Sequence, residues 1–281
     1  MEPLTEHTIL KKSDHPKIVY KYRDWRNKYH RRILTQQEIF LSPPSEFNDP
    51  FDCRIPESFS MLNTEAKLDR YFNEFVIRNI DYLKANRINI PKYIAFLKKD
   101  LKEYTAFYQK NLTQRYLKEG DLYFGIFCTT KVWNNILMWA HYSSNHSGFC
   151  VGFNRELLYD EHLTNATAAS VIYRKTFPLI DPFDDFVQKM FQKSHSKANN
   201  WRYEKEYRFY INTYPDELTI EKRKIKITKE CFNCIMIGMT FPENQVPFIK
   251  KLANNLEVPL YQIYTADQAF KLKRKKIILP Q

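Results

Sequence analysis

From Trp201 to Ile211 the chain interleaves aromatic and charged residues: Trp201, Tyr203, Tyr207 and Phe209 alternate with Glu204, Glu206 and Arg208. In an extended strand successive side chains point to opposite faces. Glu204, Glu206 and Arg208 then share one face, and Tyr203, Tyr207 and Phe209 share the other, with Lys205 as the only break. The aromatic face requires a core to pack on. The acidic face sets two carboxylates roughly 7 Å apart along the strand, where they repel unless a cation or polar ligand lies between them. Arg208 supplies part of that charge. Two readings follow: an edge strand with a solvated Glu-Glu-Arg face, or a strand that lines a site.

The rest of the chain narrows the choice. With 281 residues, 43% hydrophobic and 16% aromatic, it has the material for one large α+β domain spanning 1–281. Only five glycines occur, and neither GxGxxG nor GxxxxGK[ST] is present, which excludes a Rossmann fingerprint and a P-loop. The net charge of +12 favours an acidic partner such as nucleic acid, a nucleotide or an anionic surface. No apolar run approaches the ~18 residues of a membrane span, and the first residues lack a basic-then-apolar leader. The expectation is a cytoplasmic protein with no membrane partner. Five scattered cysteines do not form a disulfide framework. Cys231 and Cys234 stand alone, without a second pair or histidines at ligand spacing, and read as core thiols.

Residues 1–16 are polar and read as loosely held. A first strand runs from Lys17 to Arg23, with Ile18, Tyr20 and Tyr22 on one face and Val19, Lys21 and Arg23 on the other. Trp25, Tyr29 and Ile33 recur at helical spacing, and a second strand over 38–42 stops at Pro43-Pro44. The turn from Ser45 to Asp52 is dense in short polar acceptors. Asn48, Asp49 and Asp52 there are expected to bond their own backbone. From 64 to about 118 the apolar spacing predicts a helical pair, with Pro91 opening the second helix, as an insertion covering one side of a sheet. Strands follow at 122–128, 147–153 and 169–173, a helix at 135–142, and a polar helix at 183–199. Three further strands at 224–227, 234–239 and 259–264 enclose a helix beginning at Glu243. His141, beside Trp139, reads as a hydrogen-bonded core residue. Residues 271–281 form a basic tail, solvated or bound to phosphate backbones. This order predicts α+β architecture with a mixed or split, mostly antiparallel sheet, flanking helices and a helical insertion.

Four segments carry a resemblance: Tyr20-Lys21-Tyr22-Arg23; Phe47-Asn48-Asp49-Pro50-Phe51-Asp52; Leu137-Met138-Trp139-Ala140-His141-Tyr142 with Gly148-Phe149-Cys150; and Trp201-x-Tyr203-Glu204-x-Glu206-Tyr207-Arg208. In this order, from about 17 to 240, they resemble a bacterial family that carries a domain-of-unknown-function label. That resemblance points to mobile-element and phage-defence settings.

A more distant likeness is to ADP-ribosyltransferases. Their first strand carries an Arg or His that holds NAD, the second a Ser or Tyr, and a late strand Glu-x-Glu. Arg23, Ser42 and Glu204-Lys205-Glu206 stand in that order here, with a single Ser42 where that class often has Ser-Thr-Ser. The likeness implies an enzyme that uses NAD as cofactor to modify a macromolecule, with nucleic acid favoured by the basic balance. A toxin or defence effector of this kind would have a neutralising partner protein. Breaking the bond between nicotinamide and ribose builds an oxocarbenium-like sugar. In this reading Glu206 stabilises that charge and Glu204 orients or deprotonates the acceptor. Arg23 holds the pyrophosphate, Tyr22 stacks on the nicotinamide, and Ser42 and Tyr142 line the pocket. Two alternatives compete. In the first, Asp49, Asp52, Glu204 and Glu206 instead gather Mg²⁺ as a nuclease or phosphoesterase. Otherwise the chain is a non-catalytic nucleic-acid-binding protein whose acidic face pairs with Arg208.

Overall fold

The computed structural model describes residues 15–279; residues 1–14 and the last two of the basic tail lie outside the described residues. The chain opens with β1 (Ile18–Arg23), α1 (Lys28–Thr35) and β2 (Glu38–Phe40). The insertion holds four helices rather than two: α2 (Glu65–Arg78), α3 (Ile80–Ala85), α4 (Ile90–Glu103) and α5 (Thr105–Tyr123). Two of the four helix starts have a local cause. The Thr64 hydroxyl caps α2 through Lys67 N, and the Asn89 side chain caps α4 with Pro91 in its first turn.

The second half runs β3 (Phe124–Thr130), α6 (Ile136–Tyr142), β4 (Phe149–Asn154), α7 (Arg155–His162), β5 (Thr167–Ser170) and β6 (Ile172–Arg174). It continues through α8 (Phe186–His195), β7 (Ser196–Ala198), β8 (Glu206–Asn212), β9 (Lys224–Lys226), β10 (Phe232–Ile237), α9 (Val246–Asn255), β11 (Leu260–Thr265) and β12 (Leu272–Ile277). The expected strand at 122–128 starts later, because α5 runs through Gly120 to Tyr123. The one at 169–173 divides into β5 and β6, and α8 stops at His195. The basic segment 272–277 forms the edge strand β12, paired antiparallel with β11, with residues 273–276 exposed.

Eight strands form one sheet in the order β12-β11-β10-β4-β1-β3-β8-β5, antiparallel except for β10 with β11. The fold is thus mixed α+β with a mostly antiparallel sheet. Two small ladders, β2 with β9 and β6 with β7, flank it. On one face Val19, Phe127, Val151, Phe209 and Ile235 pack with Leu158 of α7 and Ile249 of α9. On the other, Tyr20, Tyr22, Cys150 and Met236 pack with Met138 and Trp139 of α6. The insertion has a small core of its own, Leu62, Leu68, Phe72 and Leu101, and reaches the sheet through Tyr116 of α5 against Phe124 and Tyr210.

The sheet has a weak seam. β1 pairs with β4 along its whole length, from Ile18↔Asn154 to Arg23↔Phe149, but meets β3 only at Tyr20↔Thr130. Beyond that point the two strands diverge. The edge of β3 that β1 abandons is taken by Ser42, whose N–H and C=O exchange hydrogen bonds of 2.9 and 3.0 Å with Ile126. The opening between β1 and β3 is a cleft.

Candidate functional site

The cleft at this seam has a volume of about 390 Å³, within the range of small-ligand sites. Arg23, Tyr22, Ser42, Tyr142, Glu204 and Glu206 all line it. They come from β1, the segment after β2, α6 and the approach to β8, so the topology brings distant stretches together. A second lobe of about 720 Å³ adjoins it and shares Arg23, His30, Ser42 and Glu46.

Glu204 and Glu206 meet by a different route from the one the alternation suggests. Residues 199–204 form a 3₁₀ helix, and Lys205 takes a left-handed conformation at φ 46° before β8 begins. A non-glycine residue there costs on the order of 1 kcal/mol. Tyr207 and Phe209 enter the core as expected, while Tyr203 packs on the opposite side of the sheet with the α6 cluster. The acidic face is not a solvated edge. β8 lies between β3 and β5, and Glu204, Glu206 and Arg208 are all buried.

They belong to a closed ionic cluster of three acids, Asp52, Glu204 and Glu206, and two cations, Arg208 and Lys197. Arg208 forms two hydrogen bonds with Asp52, 2.8 Å from Nη1 to Oδ1 and 2.9 Å from Nη2 to Oδ2. It also holds Glu206, 2.9 Å from Nε to Oε1 and 2.8 Å from Nη2 to Oε2. Lys197, two residues after α8, places its Nζ 3.3 Å from Asp52, 2.6 Å from Glu204 and 3.1 Å from Glu206. Burial works to raise the Glu206 carboxyl, but Arg208 and Lys197 outweigh it and hold the group well below the usual carboxylate range. Glu204 goes the other way. Burial raises it above its ordinary value, with Lys197 opposing and Glu206 adding to the rise. The Tyr142 hydroxyl donates to Glu204 Oε1 at 2.5 Å and accepts from Asn48 Nδ2 at 3.1 Å. Two neighbouring carboxyls are thus pushed apart, Glu206 below and Glu204 above the ordinary carboxylate value.

The other cleft residues differ in character. Tyr22 is buried, packs edge-on against Trp139 at 5.1 Å and donates to Val132 O at 3.1 Å, so it is part of the wall rather than a free stacking surface. Arg23 is half-buried, and burial lowers it to about 10. Of the turn residues, only Asp49 bonds its own backbone as expected, accepting from Phe51 N at 2.9 Å. Asn48 reaches Tyr142, and Asp52 joins the ionic cluster. His141 is exposed rather than in the core, with Nδ1 3.0 Å from the Tyr203 hydroxyl. Cys231 and Cys234 are buried, as expected. The fold does, however, bring Glu161 and His162 beside Cys231, all within 4.8 Å, with His162 Nε2 already accepting from Thr228 N. Lys197, Lys21 and His30 carried no signal in the sequence. Lys197 lay in an ordinary polar segment, and only the fold delivers its ammonium to the acids.

Residues 138–209 match a family described as "Protein of unknown function (DUF2971)". The matched stretch runs from α6 into β8 and includes Tyr142, Lys197, Glu204, Glu206 and Arg208; the segments at 20–23 and 47–52 lie outside it. No curated protein and no solved structure matches the chain. The described residues thus define an α+β protein with an ionic cleft at a split sheet, similar over one stretch to an uncharacterised family. Among the described residues no helix is long and apolar enough to cross a membrane.

Proposed function

We propose that the cleft binds NAD and breaks its nicotinamide–ribose bond in the manner of an ADP-ribosyltransferase. One observation carries this reading: Arg23, Ser42, Tyr142, Glu204 and Glu206, far apart in sequence, line a single cleft. The bond to nicotinamide leaves a cationic ribose, and the acidic end of the cleft is suited to that charge. Both Glu206 oxygens are held by Arg208 and Lys197, so it acts as a fixed anion that positions its neighbours. Glu204 is the carboxylate that handles the proton of the incoming acceptor. The basic composition favours nucleic acid as that acceptor.

The Mg²⁺ nuclease reading fares less well, for a positive reason. The Lys197 ammonium already fills the point where Asp52, Glu204 and Glu206 converge, and Asp49 does not line the cleft. Incubation with labelled NAD and mixed RNA, DNA or protein acceptors tests the proposal. Wild type is expected to release nicotinamide, insensitive to chelator, and Glu204→Gln to lose at least roughly 10²-fold of that activity while keeping its circular dichroism. Wild type that leaves NAD intact with every acceptor, or Glu204→Gln with full activity, overturns it.

A further inference from the structure

At the acidic end of the cleft every cation is paired. Elsewhere in its wall the opposite holds. Lys21 and Arg23 take part in no ion pair among the described residues, and the Arg23 side chain has no hydrogen-bond partner there. Lys21 Nζ donates only to the Cys128 carbonyl, at 2.5 Å, and sits 5.3 Å from the centre of the Phe127 ring. His30 Nδ1 is shut off from solvent with no partner.

The three groups crowd one another. Burial and then Arg23 lower Lys21 to about 7, and burial followed by Arg23 and Lys21 lowers His30 to about 4. Glu46 acts on Arg23 and Asp24 on His30 without forming an ion pair to either. Desolvating cations without a counter-charge is costly, and the missing charge is supplied when an anion enters the cleft.

The position of these groups says what kind of anion. Arg23 and His30 line both lobes, so they stand at the junction. On one side lie Tyr142 and Glu204; on the other Tyr29, Ile33, Phe40 and Ile220 stand among Arg32, Glu38 and Lys224 in a mixed wall. A terminal phosphate would leave one lobe empty. We propose that Lys21, Arg23 and His30 clamp a diphosphate diester, a P–O–P bridge bearing a ring-containing group on each side. The clamp rests on the NAD reading for Arg23 at the pyrophosphate and deepens it by adding Lys21 and His30.

A binding anion restores the charge on Lys21, so binding takes up a proton. The groups facing Lys21 are Arg23, Cys128, Glu206, Glu204 and His30. Glu206 is held ionised, and an anion near Glu204 can only raise it further, which also means uptake. Titration calorimetry at about pH 8, above the Lys21 value of about 7, in buffers of different ionisation heat reads this directly. The probes are ADP-ribose, inorganic pyrophosphate and AMP. ADP-ribose is expected to bind roughly tenfold or more tighter than AMP, with proton uptake that falls in Lys21→Met. Arg23→Met is expected to weaken ADP-ribose roughly tenfold or more. Circular dichroism establishes that both variants fold.

Binding with proton uptake but no NAD turnover keeps the clamp and removes the enzyme. NAD turnover, with ADP-ribose affinity and proton uptake unchanged in Lys21→Met and Arg23→Met, keeps the enzyme and removes the clamp. Failure of folded wild type to bind either pyrophosphate or ADP-ribose also overturns the clamp, as does AMP binding as tightly as ADP-ribose.

Discussion

Arg208 and Asp52 meet in a two-pronged ion pair across 156 residues of chain, with Arg208 fully buried and Asp52 2% exposed. The pair ties the turn after β2 to the centre of the sheet and so closes the floor of the cleft. Taking away the guanidinium leaves Asp52 and Glu206 buried with Lys197 alone to neutralise them. Breaking a buried pair in this way costs about 3–5 kcal/mol. Arg208→Met is therefore expected to lose about that much stability in urea unfolding. Asp52→Asn, which leaves Arg208 on Glu206, should lose less. Equal small losses below about 1 kcal/mol in both would show that the cluster does not hold the fold.

Tyr142 donates its hydroxyl to Glu204 Oε1, and a donor to a carboxylate favours its ionised form. Burial already raises Glu204, and Tyr142→Phe removes one of the contacts that pulls it back. If Glu204 works as an ionised base, activity rises with pH through its titration, and the variant moves that limb to higher pH. A lost hydrogen bond of about 1 kcal/mol corresponds to a shift of somewhat under about one pH unit. The pH profile of nicotinamide release from NAD measures it. A limb that stays in place, or moves to lower pH, removes Tyr142 from the control of Glu204.

Much of the fold was legible because it follows local pattern: the alternation of β1, the helical spacing in the insertion, and Pro91 in the first turn of α4. The six residues singled out for the site do share one cleft. What escaped is long-range. Nothing in Ser196-Lys197-Ala198 marks the lysine that bridges three acids. The alternation across 201–211 suggested an open strand face, whereas a 3₁₀ turn and a left-handed Lys205 fold Glu204 back into a buried cluster. The basic run at 271–276 has the composition of a loose tail, yet its backbone pairs with β11 while Arg274 lies over the rings of Trp133 and Tyr261. Charge reports on solvent and pairing partners, and pairing across a sheet is set by registers that local sequence does not encode.

Gly148, in the turn between α6 and β4, lies against the backbone of Arg23. A Cβ there would stand 2.2 Å from the Arg23 carbonyl oxygen and 2.9 Å from that of Ser143. Both are backbone atoms, and the loop is already constrained, since Ser144, Asn145 and His146 all have positive φ. Gly148→Ala therefore has to shift β1 or the loop, at a cost of about 1–3 kcal/mol. Thermal unfolding should show that loss, and ADP-ribose affinity should fall with it because Arg23 is displaced. A variant with unchanged melting temperature would show that the loop yields freely.

Lys21 gives the opposite sign. Its amine titrates near 10.5 in an unfolded chain and is lowered to about 7 in the folded protein, by burial and then by Arg23. The unfolded state then holds more protons between those values, so stability contributed at this site rises with pH from about 7 to 10.5. Below about 7 the folded protein carries the full cost of a charged, unpaired amine. Lys21→Met removes that cost while keeping most of the side-chain volume. The variant is expected to be more stable than wild type at neutral and mildly acidic pH, by a few kcal/mol at most given the partial exposure of the residue. The advantage should shrink as pH approaches 10. Urea midpoints of the two proteins at several pH values measure the difference. If Lys21→Met is less stable than wild type at neutral pH, the amine is contributing to the fold rather than being held there for a ligand.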